Sequence, residues 1–146
     1  MDKIKVMLVE DQLIPAYDMR RQLSDMGYEV VAIFTKAETA IAFLEENKGK
    51  KTSPDVVILD ISLAGKMSGV EACHIINEKY DAEVIFLTGL METKVVDEIL
   101  RTRPALFIIK PFDIWYTHIC IQVAMHQRQL EREIKQLREE LRKFTG

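Results

Sequence analysis

Five short apolar runs rich in β-branched residues recur along the chain, at residues 4–9, 29–34, 56–59, 84–87 and 106–109, and each has the length and composition of a β-strand. This recurrence constrains the fold more than any other feature. The three runs at 29–34, 56–59 and 84–87 are almost continuously apolar instead of alternating, as expected for parallel strands covered by helices on both faces. Parallel pairing needs crossover connections, and the intervening segments supply them with helical spacing. Segment 13–26 carries Met19 and Leu23, 38–46 carries Ile41 and Leu44, 69–80 carries Val70, Cys73, Ile76 and Tyr80, and 93–101 carries Val95, Val96, Ile99 and Leu100. Gly27 reads as a helix stop. Strand and helix therefore alternate five times, which predicts an open, doubly wound five-stranded parallel α/β sheet. A closed eight-stranded barrel would need roughly 250 residues, more than the 146 present.

That length suits one domain. Twenty Lys and Arg against 23 Asp and Glu give a net charge of −3, so no global positive field draws nucleic acid or anionic lipid. Cys73 and Cys120 lack the spacing of a zinc site or a disulfide framework and are expected as buried thiols in a reducing compartment. No apolar stretch reaches the ~20 residues needed to span a bilayer, and the start lacks the pattern of a signal peptide, so the expected location is the cytoplasm without membrane attachment. Residues 48–54, rich in Lys, Gly and Ser, read as a mobile surface loop.

After the fifth run, one helical pattern begins near Trp115 and continues almost to the end without Gly or Pro. With Ile134 at heptad position a, Cys120, Gln127, Ile134 and Leu141 fall at a, and Val123, Leu130, Leu137 and Phe144 at d. Glu133 and Arg138 are placed for contact between parallel helices. The expected organisation is a body over residues 1–125 and a helical extension over 126–146, either a homodimeric coiled coil or a solvated amphipathic helix. Within 126–146, six Lys or Arg and four Glu are interleaved and form no basic region for direct nucleic-acid contact. His74, His118 and His126 sit on predicted helices without ligand partners at useful spacing.

In an open α/β sheet the functional crevice lies at the carboxyl ends of the strands, so the residues following each apolar run carry the chemistry. They are Glu10-Asp11, Thr35-Lys36, Asp60, Thr88-Gly89 and Lys110-Pro111. Singly, each is explained as a cap, a turn or a strand end. Together, three acids on one rim are costly without a cation, and a hard divalent ion with oxygen ligands, Mg²⁺ or Mn²⁺, is the natural solution. Lys110 then implies an arriving anion such as phosphate, to which Thr88 can also donate, and Gly89 leaves room for its approach. Asp60 is the best nucleophile, because a carboxylate can be phosphorylated when a metal and an amine neutralise the incoming charge.

These motifs, the acidic pair in MLVED, the acid in VVILD, the hydroxyl in IFLTG and the amine in FIIKPF, resemble the receiver domain of two-component response regulators over about residues 3–125. The resemblance implies the doubly wound receiver fold of strand order 2-1-3-4-5, with its site at the switch point between strands one and three. It implies that Asp60 accepts a phosphoryl group from the phosphohistidine of a sensor histidine kinase or a histidine phosphotransfer protein. It further implies Asp11 as direct metal ligand, Glu10 as holder of a metal-bound water, and the main-chain carbonyl of Ser62 as another ligand. Lys110, followed by a proline usually joined through a cis peptide, would contact the phosphoryl oxygens. Thr88 and Phe107 match the switch pair, although Phe107 is equally explained by core packing. Ser62 and Leu90 match the positions that tune the phosphoryl lifetime. Signalling would pass through the face formed by strand four, the helix after it and strand five, which is a second route to a dimer.

Two positions depart from the family pattern. Glu10 is one methylene longer than the usual Asp, and the loop after Asp60 has Ala64 where a proline is common, with Gly69 nine instead of eight residues beyond the acceptor. An enzymatic reading as a phosphatase of the haloacid dehalogenase type requires an acid two residues after the nucleophile, where this chain has Ser62. Flavin or nucleotide binding lacks a glycine-rich phosphate loop. The remaining rival is a receiver-like dimerisation scaffold that is never phosphorylated. The expectation is a signalling module without enzymatic turnover on other substrates.

Overall fold

The computed structural model describes residues 2–89, 97, 100, 101 and 106–145. Five parallel strands, β1 (Lys5–Val9), β2 (Glu29–Phe34), β3 (Val56–Asp60), β4 (Glu83–Thr88) and β5 (Leu106–Ile109), form one sheet of order β2-β1-β3-β4-β5. Helices α1 (Leu13–Asp25), α2 (Ala37–Glu46) and α3 (Gly69–Lys79) make the first crossovers, and a fourth helix, α4 (Ile114–Thr145), closes the chain. Most of the expected crossover at 93–101, and the tuning position Leu90, lie outside the described residues. This is the doubly wound parallel sheet that the alternation of apolar runs predicts, in the strand order that the family resemblance implied.

Two apolar layers sandwich the sheet. On one face Met7, Val9, Val57, Leu59, Val84 and Phe86 pack against α2 and α3, through Ala40, Leu44, Cys73 and Ile76. On the other, Val6, Leu8, Ile58, Ile85 and Ile108 pack against α1 and α4, through Met19, Leu23, Cys120, Ile121 and Ala124. Alternate residues of each strand thus serve opposite layers. Cys73 and Cys120 are buried thiols outside any disulfide, as expected. The strands fully covered are β3 and β4, with β1 nearly so. Residues 29–34, read as covered on both faces, instead form an edge strand whose residues remain partly exposed, because an edge strand has a neighbour on one side only.

Local stops match the chain's chemistry. Gly27 ends α1 with a φ of +98°, a left-handed conformation that suits glycine. Ser68 caps α3 by accepting from the Glu71 amide at 3.1 Å. Gly69 has a different role, since a Cβ there would lie 2.2 Å from the Asp60 carbonyl oxygen and 2.7 Å from Ile61 Cα. The start of α3 therefore rests directly on the backbone of the β3 terminus.

At the opposite end of the sheet, Arg128 of α4 is buried and reaches three oxygens. Its guanidinium donates to Asp55 Oδ1 and to the Asp81 carbonyl, each at 3.0 Å, and lies 3.0 Å from Asp81 Oδ2. Asp55 also accepts from the Lys5 amide at 2.9 Å, and Arg132 bonds Asp81 at 2.7 Å. One arginine thus ties the helix to the loops that feed β3 and β4. Beside it, Tyr28 Oη accepts from Gln122 at 2.8 Å and lies 2.6 Å from His118 Nδ1, which fixes α4 against the start of β2.

Replacement of Gly69 by Ala should destabilise the protein by about 1–3 kcal/mol, because the atoms in the way are backbone and cannot rotate aside. Arg128→Ala should cost about 1–3 kcal/mol by removing charge-assisted hydrogen bonds to partly exposed acids. Urea unfolding followed by circular dichroism measures both; a change within experimental error for either variant would refute the corresponding packing argument.

Candidate functional site

The rim at the carboxyl ends of β1, β3, β4 and β5 brings together Glu10, Asp11, Asp60, Thr88 and Lys110. Glu10 follows β1 and is held by its amide, which donates to the Phe34 carbonyl at 2.9 Å. Asp60 and Thr88 are the last residues of β3 and β4, and both are buried. Lys110 follows β5, and its amide donates to the Thr88 carbonyl at 2.8 Å. Backbone bonds from the sheet thus set where each side chain starts. The Lys110-Pro111 peptide is cis, as the resemblance implied.

The central feature is an ammonium shared by two buried carboxylates. Lys110 Nζ lies 2.6 Å from Asp60 Oδ2, and 3.1 and 2.9 Å from Glu10 Oε1 and Oε2. Both acids are only 2% exposed. Burial, together with the neighbouring Asp60 carboxyl, pushes the Glu10 carboxyl up to about 7. Burial alone would lower the Lys110 ammonium, but its bonds to Asp60 and Glu10 outweigh this and hold it above its ordinary value.

Asp11 is exposed at the mouth, and one carboxylate oxygen from each of Glu10, Asp11 and Asp60 falls within 4.8 Å of the others. Three hard oxygen donors against one amine fit a divalent cation of the Mg²⁺ type, which takes few carboxylates and keeps waters. Glu10 Oε2 strengthens the fit, since it is buried and accepts no well-directed hydrogen bond although Lys110 stands nearby. The longer Glu10 side chain is accommodated by the Gln12 amide, which donates to its Oε1 at 3.1 Å.

The loop after β3 is shaped by bonds that the chain's motifs do not display. The Ser62 amide donates to Asp60 Oδ1 at 2.9 Å, and the Ile61 amide to the Leu87 carbonyl at 3.1 Å. Further out, Glu38 of α2 accepts from the Met67 amide at 2.7 Å, and Gly65 turns beneath it with a φ of +114°. Ser62 is exposed at the mouth. Phe107 lies on β5, partly buried against the layer under α2 and α3, and its carbonyl accepts from Tyr116 Oη at 3.4 Å. Thr88 and Phe107 are thus on adjacent strands, although Phe107 pairs with Phe86 and Thr88 with Ile109. A groove of about 620 Å³ opens from Glu10 and Lys110 between α1 and the segment after β5, lined by Ile14, Pro15 and Phe112.

A buried acid beside a bridging lysine, with Glu10 and Asp11 close by on this strand order, is the arrangement that the family resemblance implied. The sequence model of the response regulator receiver domain matches residues 6–119. The chain belongs to the response regulator receiver family. It is a receiver domain of the two-component type and is 27% identical to the phyllosphere-induced regulator PhyR of Methylorubrum extorquens over 128 residues, 88% of this chain and 46% of that protein. It is 31% identical to protein-glutamate methylesterase/protein-glutamine glutaminase 2 of Paramagnetospirillum magneticum, over 90% of this chain and 39% of that one. The chain therefore spans less than half the length of these relatives. Among solved structures, the signal receiver domain of a modulated diguanylate cyclase from Desulfovibrio desulfuricans superposes with a TM-score of 0.80 at 28% identity, covering 89% of this chain and 99% of that one. Among the described residues, no helix of this receiver domain is long and apolar enough to cross a membrane.

In a chelator, Glu10→Gln should stabilise this receiver by about 1–2 kcal/mol, since it removes a buried charge beside Asp60. The sign follows from the raised Glu10 carboxyl. Its favourable contribution is complete below the ordinary glutamate value and is lost as pH rises through about 7. The advantage of Glu10→Gln should therefore widen from roughly pH 5 to pH 8. Unfolding midpoints compared across that range decide it, and a constant difference would contradict the assignment.

Proposed function

We propose that this domain accepts a phosphoryl group on Asp60 from a phosphohistidine of a sensor kinase or phosphotransfer protein and relays the change as a signal. The single observation that carries the reading is the Lys110 ammonium held between Asp60 and Glu10, at 2.6 Å from the acceptor oxygen. That amine offsets negative charge beside the carboxylate that would act as nucleophile. It is also within reach of the negative charge that a phosphoryl group would bring.

In the transfer, an Asp60 carboxylate oxygen forms a bond to phosphorus as the bond from phosphorus to the histidine nitrogen breaks. The electron pair leaves with the imidazole, and the product is an acyl phosphate. Glu10, Asp11, Asp60 and the Ser62 carbonyl would hold Mg²⁺ or Mn²⁺, which when bound neutralises charge on the transferring phosphoryl oxygens. Lys110 moves its hydrogen bond from the carboxylate to a phosphoryl oxygen. The Ser62 amide, already bonded to Asp60 Oδ1, holds the carboxyl plane while this happens. The groove beside α1, with exposed Ile14 in its lining, offers an approach for the donor protein.

Thr88 follows the new anion with its hydroxyl, leaving room that Phe107 can take on the neighbouring strand. This is a two-state shift of the face around β4 and β5, driven by the added charge. Leu90 and Ser62 would set how readily water attacks the acyl phosphate. The domain performs no turnover beyond its own phosphorylation and dephosphorylation.

Incubation with Mg²⁺ and acetyl phosphate should add one phosphoryl group, read by intact mass, to the wild type and not to Asp60→Asn. The adduct should disappear when the metal is chelated. Lys110→Ala should reduce the rate of its formation by at least about tenfold. No adduct in the wild type, or the same adduct in Asp60→Asn, would sink the proposal and favour a scaffold that works without phosphate.

A further inference from the structure

The loop between β3 and α3, residues 61–68, carries the Ser62 carbonyl that would help to hold the metal, yet little in its own sequence keeps it in one shape. It contains no proline, and Gly65 stands at its centre with a φ of +114°. Its ends are well fixed. The Ile61 amide donates to the Leu87 carbonyl at 3.1 Å, the Ser62 amide to Asp60 Oδ1 at 2.9 Å, and the Gly69 amide to the Ile61 carbonyl at 3.2 Å. Between them Ala64, Gly65 and Lys66 are exposed, and the amides of residues 63–66 donate to no acceptor among the described residues.

One side chain from outside the loop spans this gap. Glu38, in the first turn of α2, accepts from the Met67 amide through Oε1 at 2.7 Å, across 29 positions of sequence. Its other oxygen, Oε2, stands over Gly65, 3.1 Å from where a Cβ would lie. The carboxylate therefore braces the loop at two neighbouring points. Its base is rigid, since Ala37, Ala40 and Leu44 seat α2 on the sheet with no more than 1% exposure. Leu63 and Met67 pack partly into the layer under α2 and α3, which anchors the loop without directing it, whereas a hydrogen bond has a direction. An acid in a first helical turn is ordinarily explained by the helix dipole, but the dipole does not require that it reach another segment's amide.

We propose that Glu38 is a positioning residue of the Asp60 site: by bracing the loop at Gly65 and Met67 it fixes where the Ser62 carbonyl stands, and so sets the affinity for the divalent cation. This rests on the reading of Glu10, Asp11, Asp60 and Ser62 as the metal-assisted acceptor site. Glu38 is not one of the carboxylates that cluster at the rim, and it acts through the loop. What it supplies is preorganisation. Mg²⁺ demands near-ideal geometry from few protein ligands, and affinity falls when one of those ligands has to be ordered on binding. Because the bond to Met67 lies at the surface, water replaces it when it is removed, and the fold loses little.

Calorimetric titration of the whole chain with Mg²⁺, and the rate of adduct formation from acetyl phosphate across the same Mg²⁺ range, test the proposal. Glu38→Ala should weaken Mg²⁺ binding about three- to tenfold and raise the half-saturating Mg²⁺ concentration by the same factor. The rate at saturating Mg²⁺ and the urea midpoint should stay those of the wild type, while the Met67 amide should exchange with deuterium at least about tenfold faster. Glu38→Gln, which keeps an oxygen at the same reach, should hold near wild-type affinity, and Glu38→Asp, one methylene short, should behave as Glu38→Ala. The reverse order, with Glu38→Asp intact and Glu38→Gln impaired, would show that charge acts instead of position and would overturn the proposal. The two possible failures are distinguishable: a wild type that binds no Mg²⁺ defeats the metal-assisted reading and this one with it, whereas binding that Glu38→Ala leaves unchanged defeats this one alone.

Discussion

The ammonium of Lys110 is the interaction on which the site depends. It lies between two buried acids, Asp60 and Glu10, at the carboxyl ends of neighbouring parallel strands, where a buried carboxylate is costly without a cation beside it. The acids outnumber the amine, and with Asp11 they form a cluster of carboxylate oxygens that could hold a metal ion. Burial of Glu10 beside Asp60 is a local cost to the fold. The surrounding sheet tolerates it because its strands are fixed by two dense apolar layers.

The same layers explain how much could be read from residues alone. The strands were legible because each is a short apolar run, and the rim residues because each ends or immediately follows one. Glu10, Asp11, Asp60, Thr88 and Lys110 needed only the rule that parallel sheets work at their carboxyl ends. What stayed hidden consists of single long-range pairs with no periodicity. Arg128 looks like any charge on an amphipathic helix until Asp55 and Asp81 are placed beside it. Glu38 gives no sign in the chain that it will hold the Met67 amide twenty-nine residues later. His118 had no ligand partner in its own segment, and its partner is Tyr28, ninety residues away.

Two readings were altered by neighbourhood rather than by composition. Residues 29–34 are as apolar as an inner strand, yet topology leaves them at an edge, where only one neighbour shields them. Cys120 fits a heptad position by counting, but the sheet claims that face of α4 first. Gly69 shows the reverse case. Counted from Asp60 it is displaced from the family's usual spacing, whereas in three dimensions it is the one residue type that lets α3 seat on the Asp60 carbonyl. Spacing along the chain is a proxy for contact, and the loop before α3 turns at Gly65 under Glu38.

The two ends of the sheet divide the work. At the carboxyl ends, two buried acids share one amine, with a third acid exposed beside them. At the amino ends, charge is balanced, with Arg128 and Arg132 against Asp55 and Asp81, and it holds α4 in place. Helix α4 runs past both, since it starts just after Lys110 and leaves the body beyond Arg128. The helix is therefore fastened part-way along its length, at Arg128, while the half beyond it projects from the body.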